Sequence, residues 1–164
     1  MNVKKILIAV LLAGVVGLLA VRFWPSDERA IRAQLSLIEE AGSKQSSEQP
    51  VESLVKATQM AGLFNDPCRL IVAAARHADA YPRKQIQDRI VMVRALYSEV
   101  QVTLHDIAIV LAENHTAVVR GTIRLRGQSK GEVIADVQEL RAEMGKFDGT
   151  WLFTSVEIVE VLER

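Results

Sequence analysis

Hydrophobic and polar positions divide the chain into three stretches with different rhythms. Ile6 to Val21 carries no charge, Ser26 to Tyr97 repeats its apolar residues largely at helical intervals, and from Val100 apolar and polar residues alternate. The first stretch is bracketed by Lys4 and Lys5 on one side and by Arg22, Phe23 and Trp24 on the other. As a helix, positions 6–24 reach roughly 28 Å at about 1.5 Å per residue, against a hydrocarbon core of about 30 Å. Residues 1–24 therefore read as a transmembrane helix serving as a signal anchor. Arg22 can snorkel beside an interfacial Trp24, and Lys4 and Lys5 place the N-terminus in the cytoplasm. The alternative is a cleaved export signal. Cleavage after Ala20 would put bulky Leu18 where the peptidase wants a small residue, and the single cysteine, Cys68, rules out a lipidation signal here. A buried soluble helix fits poorly, because the segment has no polar face.

Residues 25–164 then read as one α+β domain, helical first and strand-rich afterwards. Ser26 caps a helix running to about Ala41, with Asp27 and Glu28 in its first turn and Ile31, Leu35 and Ile38 along one face. Gly42 ends it, and Gly42 to Pro50 is a polar, turn-rich loop. A second helix is predicted from Val51 to Leu63, with Leu54, Val55, Thr58 and Ala61 inward. Asn65, Asp66 and Pro67 break the chain before an apolar run, Cys68 to Ala74, suited to a strand. Pro82 fits the first turn of a third helix whose stripe is Ile86, Ile90, Val93 and Tyr97. Beyond Val100 the period of two predicts four antiparallel strands, with turns at Glu113 to His115, at Gly127 to Gly131 and at Asp148-Gly149.

Strand pairing tests which charges are structural accidents. A hairpin closed by Gly127 to Gly131 sets Arg126 opposite Glu132, Arg124 opposite Ile134 and Thr122 opposite Asp136, so one face is charged and wet. Val119, Ile123 and Leu125 then join Val133, Ala135 and Val137 on the face that packs on the helices. The same parity brings Glu139 and Arg141 onto the apolar face. There they must pair, reach water at the open end, contact a ligand, or be turned outward by a bulge. The last strand, Thr150 to Leu162, is apolar on both sides, with Trp151, Phe153, Val159 and Val161 on one and Leu152, Val156, Ile158 and Leu162 on the other. That implies helices on one face and a second subunit on the other.

Charge and chemistry narrow the function. Beyond Trp24 there are 17 basic residues against 20 acidic ones, a net of −3, which excludes nucleic acid as the partner. Cys68 alone cannot form an intrachain disulfide and reads as a buried small hydrophobe. His77, His105 and His115 fall on separate elements without metal-ligand spacing, so no metal site is expected. Arg120, Arg124 and Arg126 form a basic stripe that Glu132 and Asp136 neutralise across the hairpin. The groups available to an enzyme are Asp106, Asp136, Glu139, Tyr81 and Tyr97; Asp106 shares a face with Val102 and Leu104.

The order of helices, short strand, helix and long antiparallel meander resembles the nuclear transport factor 2-like superfamily. The resemblance runs from Asp27 to the C-terminus. It rests on DGTWLFTSVEIVEVLER from Asp148, where Gly149 to Trp151 ends a hairpin before an alternating strand, and on PRKQI from Pro82 before a helix ending in tyrosine. It implies a cone, N-terminal helices packed on a curved antiparallel sheet, with an internal pocket and frequent dimers through the sheets. The superfamily holds isomerases, dehydratases and many members that only bind. The tyrosine and aspartate arrangement of its steroid isomerases is not found here, so no catalytic residue and no cofactor is assigned. The expectation is a membrane-anchored periplasmic binding or assembly module of the bacterial inner membrane, with a single N-terminal helix in the membrane. In that respect it resembles the periplasmic component of type IV secretion systems. Its partners would be a second copy through the sheet or another envelope protein. The alternative is a small-ligand binder or isomerase-like enzyme with a pocket near Glu139, Arg141 and Trp151, secreted if the signal is cleaved.

Overall fold

The structure, a computed structural model, describes residues 26–72 and 77–160. The membrane span read at residues 1–24, with its flanks Lys4, Lys5, Arg22 and Trp24, lies outside the described residues. None of the described helices is long and apolar enough to cross a membrane.

Helix α1 (Asp27–Gly42) begins where the sequence places it. The Ser26 hydroxyl accepts a hydrogen bond from the Arg29 N–H at 3.3 Å, and Asp27 and Glu28 sit in the positive first turn. Ile31 and Leu35 are buried and Ile38 packs beside them. Helix α2 (Pro50–Ala61) turns inward a face that shares only Ala61 with the predicted one. Ala57 and Ala61 are buried while Leu54 and Val55 stay about half exposed. Small side chains let α2 lie close to its neighbours, and the larger pair is left outside.

Strand β1 (Phe64–Val72) starts before the predicted break and carries Asn65, Asp66 and Pro67 as an irregularity in its pairing. It pairs with β2 (His77–Tyr81), a strand with no alternating signature, in which Tyr81 alone is buried. Helix α3 (Arg83–Leu96) follows, with Pro82 as its N-cap. The meander is β3 (Glu99–Ala112), β4 (Thr116–Ser129), β5 (Glu132–Phe147) and β6 (Thr150–Glu160). The sheet has six strands in the order β2-β1-β6-β5-β4-β3, with β1 and β6 parallel and every other pair antiparallel. All three helices lie on one side of it, α1 against β3 and β6 and α3 against β1.

Register decides which residues face that helical layer. The β4–β5 hairpin closes on Lys130-Gly131, both at positive φ, so Ser129 rather than Arg126 lies opposite Glu132. A shift of an odd number of residues exchanges the faces of β5 relative to β4. Leu140, Ala142 and Met144 therefore point inward and are buried, while Glu139 and Arg141 are exposed on the outer face opposite Thr122 and Arg120. Val133 and Val137 are likewise outside, and Asp136, predicted to be wet, comes onto the inner face opposite Leu125. Arg120 thus faces Arg141, and the expected neutralisation of the arginine stripe by Asp136 and Glu132 gives way to different neighbours.

Two irregularities reset the alternation elsewhere. Between His105 and Ala108 the register of β3 shifts, and Asp106 adopts φ 54 and is exposed instead of sharing a face with Val102 and Leu104. In β6 the shift falls opposite Glu143 and Met144. Beyond it Val156 and Ile158 join Trp151 and Phe153 on the inner side, leaving Leu152, Glu157 and Val159 outside. Over the described residues the strand is therefore apolar along one face, not along both; Val161 and Leu162 of the predicted strand lie outside them.

Candidate functional site

Between the helices and the inner sheet face lies a cavity of about 370 Å³. Leu35 and Ile38 of α1, Met60 of α2, Ile86, Ile90 and Val93 of α3, and Val102, Leu104, Leu125, Leu140, Phe153 and Ile158 of the sheet form most of its wall. Helix α3 rests on α2 and on β1, and the cavity lies between its apolar stripe and the inward rows of the sheet. Among the described residues three side chains of the lining carry polar atoms, Arg89, Arg94 and Tyr97.

Arg94 is committed to the scaffold. Its side chain is 4% exposed and pairs with Glu48, itself 1% exposed. It also donates to the carbonyl oxygens of Ala41, Gly42 (3.2 Å) and Ser43 (3.3 Å) and to the Ser53 hydroxyl (3.1 Å). Glu48 accepts from Lys56 as well, at 2.8 Å. Burial pushes the Glu48 carboxyl up, but hydrogen bonds from Lys56, Arg94 and Ser53 outweigh that and hold it below its ordinary value. Both charges are paired and bonded, as burial demands. Sequence reasoning missed this cluster, since Glu48 lies in what reads as a polar loop. The available signal was Arg94, set on the side of α3 that carries Ile86 and Ile90.

Arg89 is free of such commitments. Its guanidinium carbon lies 4.3 Å from the centre of the Tyr81 ring. No carboxylate pairs with it among the described residues. Tyr81 is held in turn by a hydrogen bond between its hydroxyl and His77 Nε2.

The residues expected to form a pocket are not brought together. Glu139 and Arg141 are exposed on the far side of the sheet. Trp151 does face inward and is buried, but its Nε1 donates to Asp27 Oδ1 at 3.0 Å and it does not line the cavity. Asp27 also accepts from Lys146 at 2.7 Å, and these two bonds hold its carboxyl below the ordinary range. Of the other candidates, Asp106 is exposed at its bulge and Tyr81 is buried in the core. Asp136 faces inward and accepts from Gln138 Nε2 at 2.7 Å. Cys68 is fully buried, and burial pushes its thiol up to about 11. No group of three His, Cys, Asp or Glu side chains suited to a metal gathers among the described residues.

No protein-family model matches the chain, and no curated protein matches it in sequence. Solved structures match its fold. An NTF2-like protein with a cystatin-like fold from Novosphingobium aromaticivorans is 16% identical, with a TM-score of 0.66 over 93% of this chain and 90% of that one. A proposed dehydratase of the NTF2-like family from Streptomyces avermitilis is 12% identical, with a TM-score of 0.64 over 82% and 95%. A proposed calcium/calmodulin-dependent protein kinase II association domain from Xanthomonas campestris is 17% identical, with a TM-score of 0.65 over 85% and 91%. The domain therefore has the α+β cone fold of NTF2-like, cystatin-like proteins. At these identities the likeness extends to architecture alone, and the fold is shared by proposed enzymes and proposed association domains.

Proposed function

We propose that the domain is a non-catalytic binding module that takes a small, largely apolar molecule into the cone, and that residues 1–24 hold it at the outer face of the bacterial inner membrane. The cavity is the observation that carries the first half: about 370 Å³, walled by aliphatic and aromatic side chains, within the range of about 300–1,000 Å³ typical of ligand sites. Proton transfer would need a base and an acid converging on the ligand, and the inward carboxylate nearest that description, Asp136, is bonded to an amide. The uncharged run from Ile6 to Val21 with its charged and aromatic flanks carries the second half. The outer sheet face, where Arg120, Arg141 and Glu157 follow one another across three strands, is the surface offered to a second copy or an envelope partner.

Calorimetry with decanol tests the cavity. Val102→Phe and Leu125→Phe each add bulk to its wall, and both should weaken decanol binding at least tenfold while thermal melts report an intact fold. Folded variants that bind decanol like the parent would overturn the reading. Membrane fractionation with the mass of the mature chain tests the anchor; a soluble product starting near Val21 would sink it.

A further inference from the structure

We propose that the ligand of this cavity is an apolar monocarboxylate, its hydrocarbon part inside the cone and its carboxylate on Arg89. The inference rests on the cavity reading above and adds the chemistry of the head group. Arg89 and Arg94 both line the cavity, and the surroundings of their guanidiniums differ in the respect that matters. Arg94 has its charge cancelled by buried Glu48 and its N–H groups taken by carbonyls. Arg89 meets the π-face of Tyr81 and no anion among the described residues.

Position and geometry make Arg89 fit for the task. On α3 it stands three residues after Ile86 and one before Ile90, so a single helical face presents both cavity wall and cation. The Arg89 guanidinium carbon lies over the Tyr81 ring, no carboxylate pairs with it among the described residues, and a guanidinium in that state can take a carboxylate in bidentate fashion. The hydrogen bond between His77 and the Tyr81 hydroxyl holds the ring that the arginine covers. Arg89 is also exposed, so a carboxylate meeting it keeps part of its hydration and avoids the desolvation that a deep ion pair suffers. A neutral ligand of the same shape would fill the cavity and gain nothing at the rim, while an ammonium would meet repulsion.

The test compares decanoate, decanol and decylammonium by calorimetry on the full chain in lipid nanodiscs, with empty nanodiscs as the blank. Decanoate should bind about tenfold or more tightly than decanol, and decylammonium more weakly than either. In Arg89→Gln, decanoate and decanol should bind alike when compared on that same variant, whereas Arg89→Lys should keep part of the preference. Equal binding of decanoate and decanol by the unaltered chain would overturn the proposal with no variant needed. A preference that survives Arg89→Gln would overturn it too. If decanol binds without a carboxylate preference, the cavity reading stands and this inference alone falls; if nothing binds, both fall.

Discussion

Arg94 and Lys44 close each other's helices. Arg94, in the last turn of α3, donates to the carbonyls of Ala41, Gly42 and Ser43 that end α1. Lys44, just beyond α1, donates to the carbonyls of Arg94 (3.0 Å) and Tyr97 (2.7 Å) that end α3. Each cation thus sits at the negative end of the other's helix and supplies the partners those last carbonyls lack.

Arg94→Leu should therefore do more than remove a surface charge. It strips Glu48 of its buried partner and opens the end of α1; breaking a buried pair costs about 3–5 kcal/mol. Urea unfolding measures it. The double change Glu48→Leu with Arg94→Leu should recover a large part of the loss, and a single variant that loses less than about 1 kcal/mol would show that the lock does not join the helices.

Acid should loosen the domain at two identifiable points. For Glu48 burial works upward and the bonds from Lys56, Arg94 and Ser53 outweigh it; for Asp27 the bonds from Lys146 and Trp151 dominate. Both folded-state values lie below the ordinary 4.5 and 3.8, so the unfolded chain takes up protons first as pH falls. The stabilisation is complete above those ordinary values and drains away as pH drops through and below them. Chemical denaturation midpoints between pH 6 and pH 3 should trace that decline, and Glu48→Gln or Asp27→Asn should flatten it.

Gly127 is held by contact, not by turn geometry. A β-carbon there would lie 2.3 Å from the Glu99 carbonyl oxygen and 2.9 Å from the Val100 α-carbon, both backbone atoms that cannot swing aside. Gly127→Ala should cost about 1–3 kcal/mol, the usual penalty of overpacking, visible as a lower melting temperature. An unchanged melt would mean that β3 and β4 can separate locally at no expense.

The sequence makes α1 legible nearly to the residue because its signals are local, Ser26 before acidic residues and Gly42 at the end. The strands of the meander are legible as strands for the same reason, since alternation needs only neighbours. Which face each presents is a different matter. One extra residue at Asp106, another near Ser155, and a tight Lys130-Gly131 turn in place of a five-residue one each reverse the parity beyond them. That is why Glu139 and Arg141 pass for pocket residues in the sequence and stand on the outer face in the fold. Gly127 misleads similarly, because a glycine required by close approach looks like one required by a turn. Arg94 and Glu48 are 46 positions apart, and no local pattern announces a pair at that range.

The parallel pairing of β1 with β6 puts a condition on how the chain comes together. Helices α1 and α2 and strand β1 precede the meander along the chain, yet β1 joins it only through Thr150 to Glu160, the strand farthest from it in sequence. Until that strand is in place β1 has only β2 beside it, and the apolar faces of the early helices lack the sheet that covers them. The last strand is the keystone of the sheet, and a chain cut short before it would leave an open meander and a set of homeless helices.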